Sequence, residues 1–444
     1  MRPLGVPTPP GLERDVGMER FLTGGPGIGG RLKAHAEDFV VEEVPLAFPP
    51  PSAEGKYTVA AIRARNWETN RLVGEMARRL GVPRETIFFA GTKDKRAVTT
   101  QYVSLRASEE AVRAMGLADV EVLETRRVDR APKIGELVGN RFAIRVRDPG
   151  CPVDEAEARL GAVLDGLAAH GGFPNYFGVQ RFGVLRPVTH RVGEAILRGD
   201  LEEAVRLYAG NPSPLEHEEA RKARETYDAT RDPDAVLPLL PRHMGFEREM
   251  LLHLQRKPRD FEGAILALPG NLRTMFVYAA QSVLFNRALA RRLEAGLGLN
   301  EPAVGDVVVG VDADGTPEKD RPHRVTPLNR ERVARLCAKG AALVTGSIVG
   351  HETVFPEGPM GEIERAVLAE AGWRPGHFRV PHLPEVASAG TRRELLAPLG
   401  PVRRARGEDA HGSYLEVAFF LLKGSYATCL LREAMKATDP IAYA

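Results

Sequence analysis

The sequence predicts an α+β fold with an antiparallel sheet and helices, divided into at least two domains. Short runs rich in β-branched and aromatic residues alternate with helical patterns over residues 1–171. Long helical stretches dominate residues 172–385, and residues 386–444 contain a strongly apolar strand followed by a helix. A chain of 444 residues is also longer than one ordinary hydrophobic core supports. Because the last strand and helix need a sheet to join, the middle domain could be an insertion, which periodicity alone leaves open.

The elements of the first domain follow from local patterns. A helix with apolar residues at helical spacing begins at Thr69, which is expected to cap it, and ends at Gly81. A second helix covers residues 155–170 and stops at a glycine pair. A tight polar loop of residues 91–97 separates two apolar strands. Strands are predicted at residues 39–44, 57–65, 87–90, 98–105 and 142–146.

The later elements are fewer and longer. The clearest helix of the middle domain covers residues 275–293, and residues 307–311 (VVVGV) form a strand. After the middle domain, residues 415–422 (LEVAFFLL) are a strongly apolar strand. The last helix is expected over residues 426–436, with Ser425 as its N-cap.

Charge and hydropathy limit the class of protein. A formal net charge of +2 is too small to indicate nucleic-acid binding by itself, so any RNA-binding surface must be local. No apolar run approaches the roughly 18 residues that a membrane-spanning helix needs. The first residues carry scattered charges and prolines rather than the apolar core of a secretory signal. We therefore expect a cytoplasmic protein without membrane association.

No pattern in the sequence indicates a metal or a cofactor. The three cysteines lie far apart, which favours neither a zinc site nor a disulfide framework. The glycine-rich segment GGPGIGG (residues 24–30) lacks the preceding strand and the following Lys-Ser or Lys-Thr of a phosphate-binding loop. The string HETVF (residues 351–355) lacks the second histidine of a zinc-binding HExxH motif. We expect no metal ion and no cofactor.

Basic residues are concentrated in three clusters that could contact RNA phosphates. Each cluster could equally be a solvated surface that nearby acidic residues balance. The clusters comprise Arg126, Arg127, Arg130 and Lys133; Arg321, His323 and Arg324; and Arg392, Arg393, Arg403, Arg404 and Arg406.

Asp94 is the candidate catalytic residue. It stands between Lys93 and Lys95 in the polar loop, and neighbouring cations favour the ionised form of a carboxylate. An ionised aspartate on a loop between rigid strands can act as a nucleophile. From these residues alone, a solvated surface turn is the more common alternative.

The segment AGTKDKRAVT (residues 90–99) resembles the active-site motif of TruD-type pseudouridine synthases, in which the aspartate of G-x-K-D-K/R is the nucleophile. Other segments resemble the same family in the same order. They are LKAHAEDFVVEE (residues 32–43), KIGELVGNRFAIRVR (residues 133–147), NYFGVQRFG (residues 175–183), AAQSVLFNRALARRL (residues 279–293) and LKGSYATCLLREAM (residues 422–435). On these motifs the chain is identified as a member of the family, with the longer archaeal and eukaryotic branch favoured by residues 242–273.

The resemblance implies a fold, a reaction and a partner. The fold is a pseudouridine synthase catalytic domain with a mixed, mainly antiparallel sheet, interrupted by an inserted TruD-specific α/β domain. The catalytic domain would then comprise residues 1–171 and 386–444, and the insertion residues 172–385. The reaction is the isomerisation of uridine to pseudouridine, expected at uridine 13 in the D arm of tRNA, without a cofactor and without an obligate protein partner.

The resemblance also implies roles for individual residues. Asp94 matches the nucleophile, and Lys33 matches the basic residue that pairs with it. Phe39, Asn140, Phe142 and Tyr426 match positions that line the site or contact the target nucleotide. Without the family match, the phenylalanines would be ordinary core residues, the lysine a solvent-facing side chain and the asparagine a turn residue.

Two functions of other classes remain as alternatives. One is a non-catalytic RNA-binding or RNA-chaperone protein on the same fold, which a missing nucleophile would have favoured. The other is a hydrolase that uses paired carboxylates, as glycosidases do, and that would release free uracil. The intact set of Lys33, Asp94 and Asn140 argues against the first alternative. No motif places a second acidic residue beside Asp94, which argues against the second.

Overall fold

The computed structural model describes residues 7–46, 50–131, 135–313 and 315–443. Helices and strands alternate along the chain, as the sequence predicts. The α-helices are α1 (Gly11–Asp15), α2 (Thr69–Leu80), α3 (Glu109–Arg113), α4 (Val153–Ala169), α5 (Thr189–Arg198), α6 (Leu201–Ala209), α7 (Glu218–Thr230), α8 (Pro233–Val236), α9 (Gly245–Arg256), α10 (Phe261–Leu266), α11 (Gly270–Glu294), α12 (Arg330–Ala338), α13 (Gly358–Glu370) and α14 (Ala427–Met435). The strands are β1 (Gly29–Arg31), β2 (Phe39–Pro45), β3 (Tyr57–Arg65), β4 (Phe88–Phe89), β5 (Val98–Leu105), β6 (Val120–Val128), β7 (Leu137–Pro149), β8 (Gly172–Pro174), β9 (Val307–Val311), β10 (Pro317–Arg324), β11 (Ala342–Ile348), β12 (Thr391–Glu394), β13 (Leu396–Pro398), β14 (Arg403–Asp409) and β15 (Gly412–Leu422).

The largest sheet joins strands from both ends of the chain. In the described part of the structure its order is β14-β15-β7-β2-β5-β3-β6, with β1 beside β7 and β4 beside β5. Its pairings are antiparallel except for β2 and β5, which run parallel. The predicted mixed, mainly antiparallel sheet is therefore confirmed, and the C-terminal strand β15 pairs with β7 along its length.

The middle of the chain forms separate layers. A smaller antiparallel sheet has the order β10-β9-β11-β12, and β8 pairs with β13. Helices α5 to α10 precede the long helix α11, whose apolar face is buried in the main core. β12 follows residue 385 in the chain and pairs with β11. The division at residues 172 and 385 stays a prediction.

One face of the large sheet carries the residues that the family match singles out. Asn140 lies opposite Leu421 of β15 and Glu43 of β2, and Phe142 lies opposite Phe419. Side chains of directly paired residues project to the same face of a sheet. Helices cover both ends of this face. At one end α2 packs over β3 and β5, and at the other end α4 and α14 share the main core with β7 and β15. The half-buried Asn140 and Phe142 lie between these two groups of helices.

Several predicted elements are confirmed at their predicted limits. β3 and β5 coincide with the predicted strands, and α2 ends before Gly81, which is left-handed. Two predicted caps are wrong. Glu68, not Thr69, caps α2 and accepts hydrogen bonds from the backbone, and Tyr426, not Ser425, occupies the N-cap position of α14. Glutamate has the same capping chemistry as aspartate but a longer side chain, so the pattern favoured the threonine next to it.

The third basic cluster does not form one surface. Arg393 is buried and donates hydrogen bonds to Asn175 and to the carbonyl of Gly424. Arg392 donates to the hydroxyl and carbonyl groups of Thr345. Burial lowers the pKa of both guanidinium groups. The expectation that these two arginines contact RNA is therefore wrong, because both side chains are hydrogen-bonded inside the protein.

Members of the first cluster also form contacts within the protein. Arg127 donates to the Thr58 hydroxyl group, and Arg130 forms an ion pair with Glu136 at 2.8 Å. Lys133 lies outside the described residues.

No described helix is both long and apolar enough to cross a membrane.

Candidate active site

The polar loop that carries Asp94, residues 91–97, connects β4 to β5 and is named here the Asp94 loop. Its backbone is attached to the start of α2, because the Lys93 amide donates a hydrogen bond to the Thr69 hydroxyl group at 2.8 Å. That hydroxyl group donates in turn to Gln101 of β5 at 3.1 Å. Thr69 and Gln101 are both buried. The residue that fails to cap α2 thus anchors the loop to two elements of the scaffold.

The Lys93 side chain points into the protein. Its ammonium group lies 2.5 Å from the Glu43 carboxylate, and the two side chains are 5% and 1% exposed. Lys93 therefore pairs with β2, whereas the sequence pattern presented it as a cation beside Asp94. Among the described residues, the second oxygen of Glu43 is buried without a hydrogen-bond partner.

Asp94 points outward and pairs with Lys33. The Lys33 ammonium group lies 2.9 Å from the Asp94 carboxylate, and the two side chains are 7% and 56% exposed. Lys33 has a left-handed backbone with φ of 53°, an uncommon conformation for a residue with a side chain. Its ammonium group also lies 4.7 Å from the centre of the Phe39 ring. The pair combines a buried cation with an accessible carboxylate.

Three aromatic rings continue from Lys33 along the same face of the sheet. The Phe39 and Phe142 rings meet edge to face with centroids 6.2 Å apart, and Phe142 stacks on Phe419 at 5.4 Å. Phe39 is buried and its ring packs against both Lys33 and Phe142, whereas Phe142 is half-buried. Asn140 is also half-buried, and its side-chain oxygen has no hydrogen-bond partner among the described residues. This surface presents the half-buried ring of Phe142 beside Asn140, whose acceptor oxygen is buried.

Tyr426 belongs to a different set of contacts. Its ring meets Phe177 edge to face at 6.3 Å, and the Arg393 guanidinium lies 6.0 Å from its centre. Burial raises the pKa of its hydroxyl group, against the opposing effect of Arg181 and Arg393. Arg393 also lies 4.2 Å over the Phe177 ring. The structure thus brings Lys33, Asp94, Phe39 and Phe142 into direct contact, while Tyr426 packs where the middle of the chain meets α14.

A buried arginine that the sequence did not single out holds the segment after Lys33. Arg147 donates to Asp38 at 2.8 Å and to Asp409 at 2.6 Å, and hydrogen bonding to these carboxylates raises its pKa. Asp38 accepts a hydrogen bond from the His35 amide at 2.9 Å. The segment between Lys33 and β2 is thereby fixed to β7 and to the β14–β15 hairpin. An arginine inside a strand pattern gave no local signal of this role.

Comparison with known proteins decides the family. The family model described as "tRNA pseudouridine synthase D (TruD)" matches residues 15–434. The chain belongs to the TruD family of tRNA pseudouridine synthases. The match includes the segments that contain Lys33, Asp94 and Asn140. The motif-based identification is confirmed.

Archaeal members of the TruD family are similar to this chain over nearly their whole length. A protein of Methanococcoides burtonii, curated as "Probable tRNA pseudouridine synthase D", is 40% identical over 430 residues, which cover 96% of this chain and 98% of that protein. A protein of Natronomonas pharaonis with the same name is 42% identical, with 97% and 98% covered. These relatives agree with the archaeal branch that the sequence favoured.

A solved structure of the TruD family has the same fold. The crystal structure of a protein of Methanosarcina mazei assigned as tRNA pseudouridine synthase D matches with a TM-score of 0.82 and 39% identity. The match covers 98% of this chain and 99% of that one. This TruD-family chain is accordingly an isomerase that forms pseudouridine in tRNA, with the α+β fold that was expected.

Proposed function

We propose that this TruD-family enzyme converts uridine 13 in the D arm of tRNA and that Asp94 is its nucleophile. The observation that supports the role of Asp94 is its pairing with Lys33, in which a buried ammonium group holds a carboxylate that is 56% exposed. The buried Lys33 ammonium group orients the Asp94 carboxylate, and the exposed part of that carboxylate can reach a nucleotide that enters from solvent. The position of the uridine rests on resemblance to the family alone.

The proposed reaction conserves every atom. The N1–C1′ bond of uridine breaks, the base turns, and a C5–C1′ bond forms. The proton on C5 is lost and N1 gains one, so the product is an isomer of the substrate. Asp94 acts at the sugar, where a carboxylate nucleophile can hold the ribose while the base is detached. The balance requires neither an electron acceptor nor a co-substrate.

The other residues receive the target base. A uridine must leave its stack to enter the site, which costs a few kcal/mol, and stacking on an aromatic ring offsets part of that cost. Phe142 presents its half-buried ring for this purpose, with Phe39 beneath it. The half-buried Asn140 is proposed to hydrogen-bond the base through its side-chain amide, whose oxygen is buried without a partner among the described residues. Tyr426, at the N-cap of α14, is the last residue proposed to bind the substrate.

The tRNA body binds to exposed cations and to the inserted domain of residues 172–385. Arg403, Arg404 and Arg406 of the third cluster are exposed on the edge strand β14, and Arg406 pairs with Asp154 at 2.6 Å. Arg403 and Arg404 are therefore the proposed phosphate contacts in this cluster. Replacing both with alanine should weaken tRNA binding and reduce its dependence on salt, and unchanged binding in a salt titration would contradict this surface. The enzyme is proposed to act in the cytoplasm and without an obligate protein partner.

The decisive experiment maps the product. The purified protein and its Asp94→Ala variant are incubated with tRNA transcripts that carry uridine 13, and pseudouridine is located at nucleotide resolution. Conversion at position 13 by the wild type alone supports both the site and the nucleophile. Conversion at another position changes the substrate assignment, and conversion by the variant removes Asp94 from the mechanism. Binding without conversion by either protein would favour a non-catalytic RNA-binding role.

A further inference from the structure

We propose that the buried Lys93–Glu43 ion pair is a positioning device that sets the place of Asp94 from inside the protein. The proposal rests on the proposed function, in which Asp94 is the nucleophile. Lys93 and Glu43 do not touch the substrate in this account. They act through the peptide bond that joins Lys93 to Asp94 and through the strand that carries Glu43.

The first observation is that Lys93 is held at both ends. Its backbone amide donates to Thr69 of α2, and its ammonium group lies 2.5 Å from Glu43 of β2. Gly91 lies directly above the pair, because an added Cβ there would come within 3.5 Å of the ammonium group and 3.9 Å of the carboxylate. The residue before Asp94 is therefore attached to a helix and to the central sheet.

The second observation is that Asp94 itself has few attachments. Within the described residues its carboxylate bonds to Lys33, and its side chain is largely exposed. Lys33 can orient the carboxylate, but a single ion pair with an exposed partner holds a loop weakly. The backbone position of Asp94 must then come from its neighbours, of which Lys93 is the one that is buried.

The third observation connects the pair to the nucleotide contact. Glu43 lies opposite Asn140 across β2 and β7. The same carboxylate therefore lies between the loop that carries the proposed nucleophile and the residue proposed to hold the base. A change at Glu43 or Lys93 is expected to alter the distance between these two groups, and a misplacement of about 1 Å can cost about 10²-fold in rate.

Energetics separate this role from simple stabilisation. A buried ion pair is often no more stabilising than apolar residues of similar size. A neutral pair made by Glu43→Gln with Lys93→Met should therefore keep much of the stability of the fold while it loses the attachment of the loop. A merely structural role predicts that the rate recovers together with the stability. A positioning role predicts that the stability recovers and the rate does not.

The test compares single-turnover rates on the tRNA substrate for the wild type, Lys93→Met, Lys93→Arg and the neutral double variant. With enzyme in excess and varied, each protein yields a maximal rate and a half-saturating concentration, and thermal unfolding is followed in parallel. We expect the maximal rate to fall about 10²-fold in Lys93→Met and in the double variant, with little change in half-saturation. Lys93→Arg, which keeps a cation for Glu43, should recover part of the rate.

A matched control uses a buried ion pair elsewhere. Arg292 of α11 pairs with Asp306 at 2.8 Å, and both side chains are 0% exposed. Arg292→Met should lower the unfolding temperature, as Lys93→Met does, and leave the maximal rate close to that of the wild type. An Arg292→Met variant that loses rate to the same extent would show that the loss follows stability, which overturns the proposal.

Other outcomes also decide the question. If the double variant reacts at the wild-type rate, or if only its half-saturation changes, the pair does not position Asp94. If Lys93→Met does not fold, the double variant and Lys93→Arg still carry the comparison. An Asp94→Asn variant run alongside separates the two proposals, because its retained activity would remove the nucleophile without any reference to Lys93.

Discussion

Lys93 and Asp94 are consecutive residues of the same loop, yet their side chains have opposite surroundings. Lys93 forms an ion pair with Glu43 in which both side chains are at most 5% exposed. Asp94 forms an ion pair with Lys33 in which the carboxylate is 56% exposed. The same two kinds of charged group are therefore used once inside the protein and once at its surface.

This difference teaches how one loop divides support from chemistry. Breaking a buried pair by removing one partner leaves an uncompensated charge, which typically costs about 3–5 kcal/mol. Removing the buried member of a pair costs about 1 kcal/mol or less when the member that remains is exposed, because water solvates the remaining charge. We therefore expect changes at Lys93 to lower both the free energy of unfolding and the rate of isomerisation, and changes at Asp94 to lower mainly the rate.

The largest expected effect is on the rate, at Asp94. Asp94→Asn keeps the size of the side chain and removes the nucleophile, so pseudouridine formation should fall about 10³-fold or more. The free energy of unfolding, measured by urea titration, should change by less than it does in Lys93→Met, because the amide oxygen of the new side chain can still accept a hydrogen bond from Lys33. A loss of stability as large as the loss of activity would break the division between the two sides of the loop.

The next effect is on stability, at Lys93. Lys93→Met should lower the free energy of unfolding by about 3–5 kcal/mol, because Glu43 remains buried without its cation. Adding Glu43→Gln should restore most of that loss, which a double-mutant cycle in urea measures. If Lys93→Met costs less than about 1 kcal/mol, the pair is more hydrated than its burial indicates.

Lys33 should behave as the opposite case. Lys33→Met removes the cation that orients Asp94, so the single-turnover rate should fall about 10²-fold through misplacement. Unfolding should change by about 1 kcal/mol or less, since the exposed carboxylate regains water. Equal losses of stability in Lys33→Met and Lys93→Met would contradict the comparison.

The smallest expected effect is at the anchor of the loop backbone. Thr69→Val keeps the shape of the side chain and leaves the Lys93 amide without its acceptor, which should cost about 1–3 kcal/mol. Thr226→Val is a suitable control, because Thr226 bonds only to its own helix and is half-exposed. Thermal unfolding of the two variants should differ, and identical unfolding temperatures would show that water replaces the Thr69 hydroxyl group.

Much of the fold could be predicted from local patterns. β3 and β5 were located to the residue, and the limits of α2 followed from apolar spacing and a terminal glycine. These features depend on residues close in sequence, whose spacing reflects the period of a strand or helix. The parallel pairing of β2 with β5 was not predictable in this way, because it is decided by contacts between distant segments.

The same distinction holds for the charged residues. Arg393 and Arg403 were assigned to one basic cluster from their closeness in sequence, but one is buried against Asn175 and the other is exposed on β14. Glu13 lies in α1, in the proline-rich start of the chain, which contains none of the motif segments. It is buried and pairs with Arg432 of α14 at 2.6 Å. Sequence spacing carries no information about partners that are hundreds of residues apart.

The sequence by itself determined the family, the fold class and the position of the candidate nucleophile, because ordered motifs and residue periodicity are properties of the chain as written. The family resemblance also implied that Lys33 pairs with Asp94. Only the tertiary structure decided that this pair keeps an exposed carboxylate while Lys93 turns inward to Glu43. The reason is physical. The partner of a charged side chain and its access to water depend on the register of β2, β5 and β7, which long-range packing sets.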